Sequence, residues 1–469
     1  MAKVCFVFPR YIIRNYGTPL GVLYLCKALK EKKHEVSFID GTVVSFEETS
    51  ERLKQLKPDF LCLSIHTVFA DFAFQLAKEF KKINPKGKVI AGGPHVSILP
   101  KQTLMQKGID FIVIGEGELT LPELLKNINE PEKVAGIAFK KKNKIIFTKS
   151  REPITNLDSI SFPDRTLLPE EYPKTGSTSI ITSRGCPFNC AFCQPTLRKI
   201  FGQKFRMRSI KNVVEEIKEI KKVFQEKNLE LKNLCFTDDG LTYNHAWLEK
   251  LAREFLRQRV NIQWSANTRA DTIPSLKLLK LLKKAGLTTF SIGVESGHPF
   301  IRNEILRKGV SQEQLIRAFD LCHEAGIQAL AFLMVGSPEE SEETVNATVE
   351  LLDRIKPDQT QVTITSPLPE TYLYDYAKKK DLLQIKKWSD FAFGDESHLE
   401  LKHFTKSEIK RIQKAMQYAI YFHAKMARLG LNASYSSLFK ILRNALVNIS
   451  LRGLEKGRFI IKKKMVGKF

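Results

Sequence analysis

The chain has 469 residues, and its 75 Lys and Arg against 51 Asp and Glu give a formal net charge of +24. Because 43% of the residues are hydrophobic, the chain can bury sizeable cores, which excludes a mainly disordered protein. It contains no apolar run of the ~18 residues that a membrane span needs, and its 8 Cys are too few for a disulfide scaffold. We therefore expect a cytoplasmic protein with reduced cysteines, whose charge suits either an acidic partner or a solvated lysine-rich surface.

Short apolar runs alternate with amphipathic helical patterns through the first third of the chain. The strand-like runs lie at 4–8, 36–40, 60–65, 88–91 and 109–114. This alternation predicts βαβ units and a doubly wound, flavodoxin-like parallel sheet. Ligands of such sheets bind beyond the carboxyl ends of the strands.

Glycine pairs and small hydroxyl residues follow these strand ends. Paired glycines let the backbone approach a ligand closely, and free N–H groups at helix starts suit polar ligand groups. An ordinary tight turn would explain any one of these segments, but four of them on one edge favour a ligand site. The candidate residues are Thr18, Leu20, Ser64, Thr67, Gly92, Gly93, His95, Gly115, Glu116 and Gly117.

Three cysteines form the strongest motif. Cys186, Cys190 and Cys193 follow a predicted strand with C-x3-C-x2-C spacing. Thiolates are the usual ligands of iron–sulfur clusters, and three on one loop can hold three irons of a cubane and leave the fourth open. A zinc site lacking one ligand, or chance clustering, explains the tight loop after a strand less well.

The cysteine spacing, with the aromatic Phe192 just before the last cysteine, resembles the radical S-adenosylmethionine superfamily over roughly residues 175–370. The resemblance implies a four-iron, four-sulfur ([4Fe-4S]) cluster whose open iron binds S-adenosylmethionine. It also implies reductive cleavage of that cofactor to methionine and a 5′-deoxyadenosyl radical, with the electron supplied by an external reductant such as flavodoxin or ferredoxin.

Strand-like and helical patterns continue to alternate beyond the cysteines. The strand-like runs lie at 178–182, 233–238, 262–266, 289–294, 328–335 and 361–365. Six βα repeats predict a partial (β/α)6 barrel whose functional residues occupy the carboxyl ends of the strands. We therefore expect an α/β protein with two successive α/β domains.

Polar and small residues end the barrel strands, and the resemblance implies what they bind. Asp238 and Asp239 stand where the superfamily usually has a Gly-Gly-Glu-like stretch that receives the methionyl amine, so carboxylates replace glycines here. The strand end at 265–269 suits the ribose hydroxyls and the methionyl carboxylate. A solvated loop carboxylate is the plainer interpretation of Asp239 and of Glu295. The implied S-adenosylmethionine-binding residues are Phe192, Asp238, Asp239, Ser265, Asn267, Arg269, Glu295 and Gly336.

A flavodoxin-like domain before such a barrel resembles the cobalamin-binding radical S-adenosylmethionine enzymes. The resemblance rests on Pro-Leu-Gly at 19–21, Gly-Gly-Pro-His at 92–95, Gly-Glu-Gly-Glu at 115–118, Arg-Gly-Cys-Pro at 184–187 and Gly-Val-Glu-Ser-Gly at 293–297. It implies that cobalamin lies over the strand edge of the first domain, facing the cluster, and that the strand-end residues of that domain hold it.

An Asp-x-His-x-x-Gly stretch, which supplies a lower axial histidine to cobalt in other corrinoid proteins, is absent from the first domain's sequence. His34, His66 and His95 occur in other contexts, and each is better interpreted as a turn or surface histidine. If cobalamin binds, we therefore expect no protein histidine below the cobalt.

The patterns divide the chain into four regions. We predict a cobalamin-binding-like domain at 1–140, a connector at 141–174, the radical S-adenosylmethionine barrel at 175–370 and a mostly helical, basic region at 371–469. A small hairpin, formed by 134–139 and 144–148, is predicted where the first domain meets the connector.

The last region contains helical patterns at 406–427 and 436–449, and basic residues interleave with apolar ones to the end of the chain. Such a tail suits either peripheral contact with an anionic membrane or a packed helical cap with a solvated basic face. Aromatic residues from Trp388 to Phe393 suit either a substrate entrance or plain packing.

The combined resemblance implies a cobalamin-dependent radical enzyme that methylates an unactivated carbon, or cyclises or rearranges its substrate. A lipid suits the basic tail, and a natural-product-like molecule suits the aromatic residues. The alternative is a methylthiotransferase acting on tRNA or protein, which needs three N-terminal cysteines for another cluster. Cys5, Cys26 and Cys62 occupy apolar strand or helix positions, and no small RNA-binding barrel follows residue 370, so nucleic acid is disfavoured. The intact cysteine motif disfavours a non-catalytic corrinoid protein.

Overall fold

The computed structural model places two large sheets along the chain, with a two-stranded ribbon inserted between the first two strands of the second sheet. It describes residues 1–11, 17–142, 144–193, 200–202, 204–392, 396–428 and 433–447.

The N-terminal sheet has seven strands. They are β1 (Lys3–Phe8), β2 (Glu35–Asp40), β3 (Phe60–Ser64), β4 (Lys88–Gly92), β5 (Phe111–Val113), β6 (Ile137–Lys141) and β7 (Lys144–Phe147). Their order is β2-β1-β3-β4-β5-β6-β7, and the first five are parallel, which confirms the predicted doubly wound sheet. The predicted hairpin is its antiparallel edge, formed by β6 and β7. The sheet therefore continues past residue 140, where we predicted the first domain to end.

Six helices connect and cover these strands. They are α1 (Leu20–Glu31), α2 (Phe46–Leu56), α3 (Ala70–Ile83), α4 (Pro94–Ile98), α5 (Pro100–Met105) and α6 (Gly117–Lys126). Apolar residues at helical spacing explain how α1 packs, because Val22, Cys26 and Leu29 are all buried on one face. The start of α2 is fixed by Ser45, whose Oγ accepts a hydrogen bond from the N–H of Glu48 at 3.1 Å.

The second sheet is an open half-barrel. Its six strands are β8 (Ser177–Ile180), β11 (Asn233–Phe236), β12 (Gln263–Arg269), β13 (Leu287–Glu295), β14 (Gln328–Val335) and β15 (Gln359–Ile364). The two-stranded ribbon, β9 (Ser183–Arg184) and β10 (Arg206–Met207), lies between β8 and β11 in the chain. These six strands are all parallel and lie in the order β15-β14-β13-β12-β11-β8. The six predicted βα repeats are therefore confirmed.

Helices cover the outer face of the half-barrel. After the connector helix α7 (Glu171–Lys174) come α8 (Ile210–Glu226), α9 (His245–Arg257), α10 (Leu276–Lys284), α11 (Gln312–Glu324) and α12 (Glu342–Ile355). Alternation along β12 separates the two faces, because Trp264 and Ala266 are buried in the core with the helices while Asn267 opens to the concave side. This arrangement leaves the concave face for ligands.

The C-terminal region forms a cap over the last barrel strands. It contains α13 (Tyr372–Lys379), α14 (Lys406–Arg428) and α15 (Tyr435–Val447). Phe439 is buried, the Tyr435 hydroxyl donates to the Pro357 carbonyl at 3.1 Å, and Arg443 pairs with Glu342. The described part of the basic region is therefore a packed helical cap. The tail from 448 onwards lies outside the described residues, and no helix within them has the length and apolarity to cross a membrane.

The aromatic residues near Trp388 pack against the N-terminal domain. The Trp388 ring meets the His95 ring edge-on, with 4.8 Å between centroids, and stacks on Phe391 at 5.8 Å. The N–H of Ser389 donates to Asp71 at 3.1 Å. These contacts indicate plain packing for Trp388, whereas Phe393 lies outside the described residues.

Candidate active site

The three cysteines lie on one loop that the backbone fixes at two points. Where the loop leaves β9, Gly185 has a φ of +93°, and a Cβ there would come within 2.8 Å of the Lys204 carbonyl oxygen, so only glycine fits. Within the loop, Ala191 donates its N–H to the Leu306 carbonyl at 2.8 Å and accepts from the Leu373 N–H at 3.0 Å. The loop is thus held against two separate segments of the barrel.

A cavity of about 270 Å³ opens beside this loop, and we call it the cluster cavity. The predicted site residues that line it are Cys186, Cys190, Cys193, Phe192, Asp239, Asn267, Arg269 and Glu295. The structure therefore brings together all the predicted cluster ligands and most of the predicted S-adenosylmethionine-binding residues. Their roles stay predictions.

Arg269 joins the end of β12 to the cysteine loop. Its Nη1 donates to Cys190 Sγ at 3.2 Å, and its guanidinium lies over the Phe188 ring at 3.7 Å. The same guanidinium pairs with Asp271 at 3.0 Å and donates to the Lys308 carbonyl at 2.7 Å. Arg269 therefore places a fixed positive charge beside the cysteines.

Lys308 and Glu295 form a second charged pair in the cavity wall. Lys308 Nζ lies 2.7 Å from Glu295 Oε1, and both side chains are buried. Glu295 has a φ of +63°, a left-handed conformation that is costly for a residue with a side chain. This pairing orients Glu295 at the carboxyl end of β13.

Tyr243 contacts the first cysteine from the other side of the cavity. Its hydroxyl lies 3.3 Å from Cys186 Sγ and donates to the Asp239 carbonyl oxygen at 3.0 Å. The rings of Phe188 and Phe205 pack against it at 5.4 and 5.2 Å. Each of two cysteine sulfurs is therefore within hydrogen-bonding distance of a fixed protein group.

The cysteines suit a cluster better than a single metal ion. Enclosure and the neighbouring thiols raise the pKa of Cys193 to about 12, so a bound metal must favour the thiolate. Within the described ranges, no three His, Cys, Asp or Glu side chains converge as the ligands of one ion do. A cubane needs no such convergence, because each thiolate binds a different iron. The residues therefore fit a cluster.

Asp238 is placed differently from its neighbour. Its Oδ1 accepts hydrogen bonds from the Thr182 N–H at 2.8 Å and from the Ser183 hydroxyl at 2.5 Å. Burial raises its pKa, and no residue that the structure describes hydrogen-bonds its buried Oδ2. Asp238 therefore fixes the strand before the cysteine loop and does not line the cluster cavity.

Two further predicted residues also lie away from the cluster cavity. Ser265 hydrogen-bonds Cys235 on the neighbouring strand β11. Gly336 donates its N–H to Glu340, and a Cβ on it would meet the Ile409 side chain of α14 at 3.0 Å. The Glu340 carboxylate and the Ile409 side chain of the C-terminal cap therefore cover Gly336 in the loop after β14.

A larger cavity of about 360 Å³ lies between the two domains, and we call it the interdomain cavity. The predicted cobalamin-binding residues that line it are Ser64, Gly92, Gly93, Gly115, Glu116 and Gly117. Gly93 has a φ of +96°, and a Cβ there would lie 3.0 Å from the Ile65 nitrogen, so glycine is required at this wall.

The interdomain cavity extends under the N-terminal helices. Its walls there include Phe6 and Ile90 of the sheet, Tyr24 and Leu25 of α1 and Leu121 of α6. Its volume and mainly apolar side chains match those of an enclosed cofactor site. Glycines at the rim and apolar groups beneath fit a flat macrocycle whose nucleotide tail ends in an apolar benzimidazole, as in cobalamin.

Four predicted cobalamin-binding residues do not line this cavity. Thr18 accepts a hydrogen bond from the Ser179 N–H at 3.3 Å, and Leu20 is buried. Thr67 lies 3.3 Å from Nδ1 of His95, which is fully buried under Trp388. The interpretation of His95 as a turn or surface residue is therefore wrong, because the C-terminal region covers this part of the sheet edge.

Asp239 lines both cavities. Enclosure between them, together with the charge of Asp238, raises its pKa to about 7. Because the carboxyl ends of the two sheets face each other here, ligands in the two cavities would meet at this side chain. Asp239 is itself exposed, so the interpretation as a solvated loop carboxylate still describes it, but it lies where the two cavities meet.

Several residues that line these cavities were not predicted as site residues from the sequence. Tyr243 and Lys308 line the cluster cavity, and Arg184 lines the interdomain cavity. The sequence does point to Arg184, because this residue directly precedes the Gly-Cys-Pro of the cysteine motif. No sequence pattern points to Lys308 or Tyr243, because each lies on a loop whose path to the site depends on the fold.

Known proteins resemble the chain in both domains. The B12 binding domain model matches residues 13–125, and the Radical SAM superfamily model matches residues 180–352. The architecture and the cysteine loop thus define a radical S-adenosylmethionine enzyme with a B12-binding domain.

A curated relative extends this similarity over nearly the whole chain. Uncharacterized methyltransferase PH0819 of Pyrococcus horikoshii is 31% identical over 439 residues, covering 90% of this chain and 93% of that protein. The chain accordingly belongs to the family of radical S-adenosylmethionine enzymes that carry a B12-binding domain, as its motifs predicted.

Two solved structures share the fold. The cobalamin-dependent S-adenosylmethionine radical enzyme OxsB, with aqua-cobalamin and S-adenosylmethionine bound, has a TM-score of 0.72 at 18% identity and covers 90% of this chain and 67% of its own. The radical S-adenosylmethionine methyltransferase TsrM of Kitasatospora setae, with cobalamin and a [4Fe-4S] cluster bound, has a TM-score of 0.69 at 20% identity, covering 82% and 80%. The positions of the two family-model matches confirm the predicted order of the domains.

Proposed function

We propose that this protein is a cobalamin-dependent radical S-adenosylmethionine methyltransferase that methylates an unactivated carbon of a lipid or natural-product-like small molecule. The observation that carries the proposal is the position of Asp239, which lines both the cluster cavity and the interdomain cavity. Two cofactors held in these cavities would face each other across a shared space, where a substrate carbon could meet both.

The residues divide into two binding sets. Cys186, Cys190 and Cys193 would hold the [4Fe-4S] cluster, and Asp239 with Asn267 would contact S-adenosylmethionine. The glycine-lined rim and apolar base of the interdomain cavity would hold cobalamin. When bound, the cluster and S-adenosylmethionine supply one-electron cleavage chemistry, and cobalamin supplies a transferable methyl group. This set agrees with the two domain models and with the cofactors named for TsrM and OxsB.

The chain's own side chains orient these groups and adjust the local charge. Arg269 and Lys308 place two cations near Cys190, and they oppose the rise in its pKa that burial causes. Asp239 would accept a hydrogen bond from the methionyl amine, the role that the family resemblance implies for its strand end. Bound cofactors and substrate would displace water from the space between the two domains, where a reactive carbon would form.

The methylthiotransferase alternative requires a second cluster on the N-terminal cysteines. Cys5, Cys26 and Cys62 are fully or nearly fully buried in strands and a helix of the first domain. Burial raises the pKa of Cys5 to about 11 and raises that of the other two well above its usual value. Such thiols pack as small apolar groups, which disfavours this alternative.

Anaerobic reconstitution with iron, sulfide and hydroxocobalamin tests the cofactor set. We expect purified protein to retain both iron and cobalt. The reaction is then tested with S-adenosylmethionine that carries a deuterated methyl group, a one-electron reductant, and separate lipid and polar metabolite extracts. A deuterium-labelled small molecule in either extract supports the proposal, and the extract identifies the substrate class. Label found in tRNA or protein would instead favour the methylthiotransferase.

Two partners belong to the same proposal. An external one-electron donor such as flavodoxin or ferredoxin would supply the electron, and the lysine-rich surface suits an acidic protein of that kind. A peripheral membrane contact through the basic tail stays a prediction, because that tail lies outside the described residues.

A further inference from the structure

We propose that the C-terminal cap docks on an anionic lipid bilayer through the outer side of α14 and α15. We call this surface the cap face, and its exposed or half-buried members include Arg411, Tyr421 and Phe422 of α14 with Lys440 and Ile441 of α15. The inference goes beyond the proposed function and does not depend on it, since it concerns where the protein is held and not what it methylates.

The inner side of α14 is fixed on the half-barrel. Ile412 and Met416 are buried in the barrel core, and the side-chain amides of Gln413 and Gln417 donate to the Val362 carbonyl of β15 at 3.0 and 3.2 Å. Because these anchors repeat every three or four residues, they hold one side of the helix inward along its length. The opposite side of α14 must therefore face outward.

The outward side of α14 combines aromatic and basic residues. At about 100° per residue, a sector of about 100° on this side contains Arg411, Lys414, Tyr418, Tyr421, Phe422 and Lys425. Tyr421 is 54% exposed, and its ring lies 5.5 Å from that of Phe422. Aromatic residues flanked by basic ones are typical of helices that lie in a membrane interface, where long basic side chains reach the phosphates.

Helix α15 extends the same surface. It returns along α14, since Tyr435 at its start stacks on His423 near the end of α14 at 3.8 Å. Ile441 is 64% exposed and directly follows the exposed Lys440. The two helices thus both offer large apolar side chains to the outside, next to basic ones.

The charge of the cap face favours a bilayer with anionic lipids. From 409 to 454 the sequence contains eight Lys and Arg and no Asp or Glu. Carboxylates that contact the two helices are engaged at their edges, because Glu342 pairs with Arg443 and Asp353 accepts the Tyr435 N–H at 2.5 Å. A soluble polyanion would match the charge alone, whereas the exposed Ile441 gains only from an apolar layer such as a bilayer supplies.

Sedimentation with sucrose-loaded vesicles tests the electrostatic part of the inference. The full-length, anaerobically reconstituted protein should bind phosphatidylcholine vesicles that contain phosphatidylglycerol, more weakly as salt rises, and should bind pure phosphatidylcholine poorly. Arg411→Gln and Lys440→Gln should each lower the partition coefficient by about fivefold. The control is Lys107→Gln, an exposed position on the N-terminal domain, which should leave the coefficient unchanged.

The apolar part is tested on the same vesicles. Tyr421→Ser and Ile441→Ser should each lower the partition coefficient by about tenfold, because each removes a side chain that enters the apolar layer. Phe147→Ser is the matched control, since Phe147 is 49% exposed on β7 of the other domain and should not matter. All of these positions are at the surface, and circular dichroism verifies that each variant is folded.

Four results would overturn the inference. The first is no binding of the wild-type protein to anionic vesicles, and the second is equal loss in Lys107→Gln with no effect of Tyr421→Ser, which would indicate diffuse attraction to a basic protein. The third is binding that is lost when the lysines at 462–464 are replaced but is unchanged in the cap-face variants. The fourth is a dimer that Tyr421→Ser dissociates while vesicle binding is unchanged, which would assign the cap face to a second copy of the chain.

Discussion

Arg184 and Glu116 join the cysteine loop to the N-terminal domain through a buried ion pair, with 2.7 Å between Nη1 and Oε1. Arg184 ends β9 directly before the cysteine motif, and Glu116 is the residue immediately before α6. The second oxygen of Glu116 accepts the Ile154 N–H at 2.6 Å and lies 3.1 Å from Arg206. One carboxylate therefore fixes the distance between the two cavities.

Removing this charge should loosen the domains. In Glu116→Gln, Arg206 loses the carboxylate it pairs with and Arg184 keeps only its pair with Glu118, so we expect the free energy of unfolding to fall by about 3 kcal/mol. Urea denaturation measures the change. The matched control is Glu130→Gln, because Glu130 forms only an exposed pair with Lys133 and should lose less than about 1 kcal/mol. Equal midpoints for the two variants would show that the Arg184 contact does not stabilise the interface.

The cysteine trio can be tested separately from the corrinoid site. Cys190→Ala should lose nearly all cluster iron after reconstitution yet retain cobalamin, because Cys190 lines only the cluster cavity. Cys235→Ala is the control, since Cys235 lies within β11 outside both cavities. Iron and cobalt analysis of both variants gives the readout. Iron retained in Cys190→Ala would contradict the assignment of the loop as the cluster site.

Tyr243 should raise the reduction potential of the cluster. Hydrogen bonds to cluster sulfurs stabilise the more electron-rich reduced state. The Tyr243 hydroxyl lies 3.3 Å from Cys186 Sγ and 3.0 Å from the Asp239 carbonyl oxygen, and its one proton would turn to the sulfur when Cys186 is a cluster thiolate. Tyr243→Phe should therefore lower the midpoint potential without changing iron content, which a redox titration followed by electron paramagnetic resonance can measure. Tyr376→Phe removes a hydroxyl bonded only to Glu339 near the same rim and should leave the potential unchanged.

Asp239 should make S-adenosylmethionine binding depend on pH. Because its pKa is raised to about 7, the carboxylate is charged above that pH and becomes protonated as the pH falls through it. If the carboxylate accepts the methionyl amine, the dissociation constant should rise by up to about tenfold for each pH unit below 7. Equilibrium dialysis between pH 5 and 8 measures this dependence.

A pair of variants isolates the Asp239 carboxylate. Asp239→Asn should bind S-adenosylmethionine weakly and without the pH dependence, whereas Asp320→Asn, on the outer helix α11, should behave as the wild-type protein. Binding that weakens equally at low pH in Asp239→Asn would assign the effect to another group.

Local patterns predicted much of the fold because they depend on neighbouring residues. The strand at 328–335 has the predicted bounds, and the strands at 60–64 and 88–92 differ from the predicted bounds by one residue. Apolar residues define each of these elements, and polar or glycine residues lie at its ends. The hairpin was also predicted, but its membership of the first sheet depends on pairing of β6 with β5, which no local pattern encodes.

The candidate site was less predictable because it combines distant residues. Sequence could not distinguish the roles of Asp238 and Asp239, since adjacent side chains leave a strand end in opposite directions, one towards the protein and one towards the cavities. Tyr243 reaches Cys186 across 57 residues, and Arg269 reaches Cys190 across 79. Such contacts depend on how the strands are ordered, which only the folded sheet reveals.

The account depends most on a cluster with one iron left open for S-adenosylmethionine. Anaerobically reconstituted protein should be reduced with dithionite, and its electron paramagnetic resonance spectrum should be recorded before and after S-adenosylmethionine is added. We expect a cluster signal whose g-values change on addition, and formation of 5′-deoxyadenosine in the same sample. A protein without a cluster signal, or one whose signal is unaffected by saturating S-adenosylmethionine, would contradict the account.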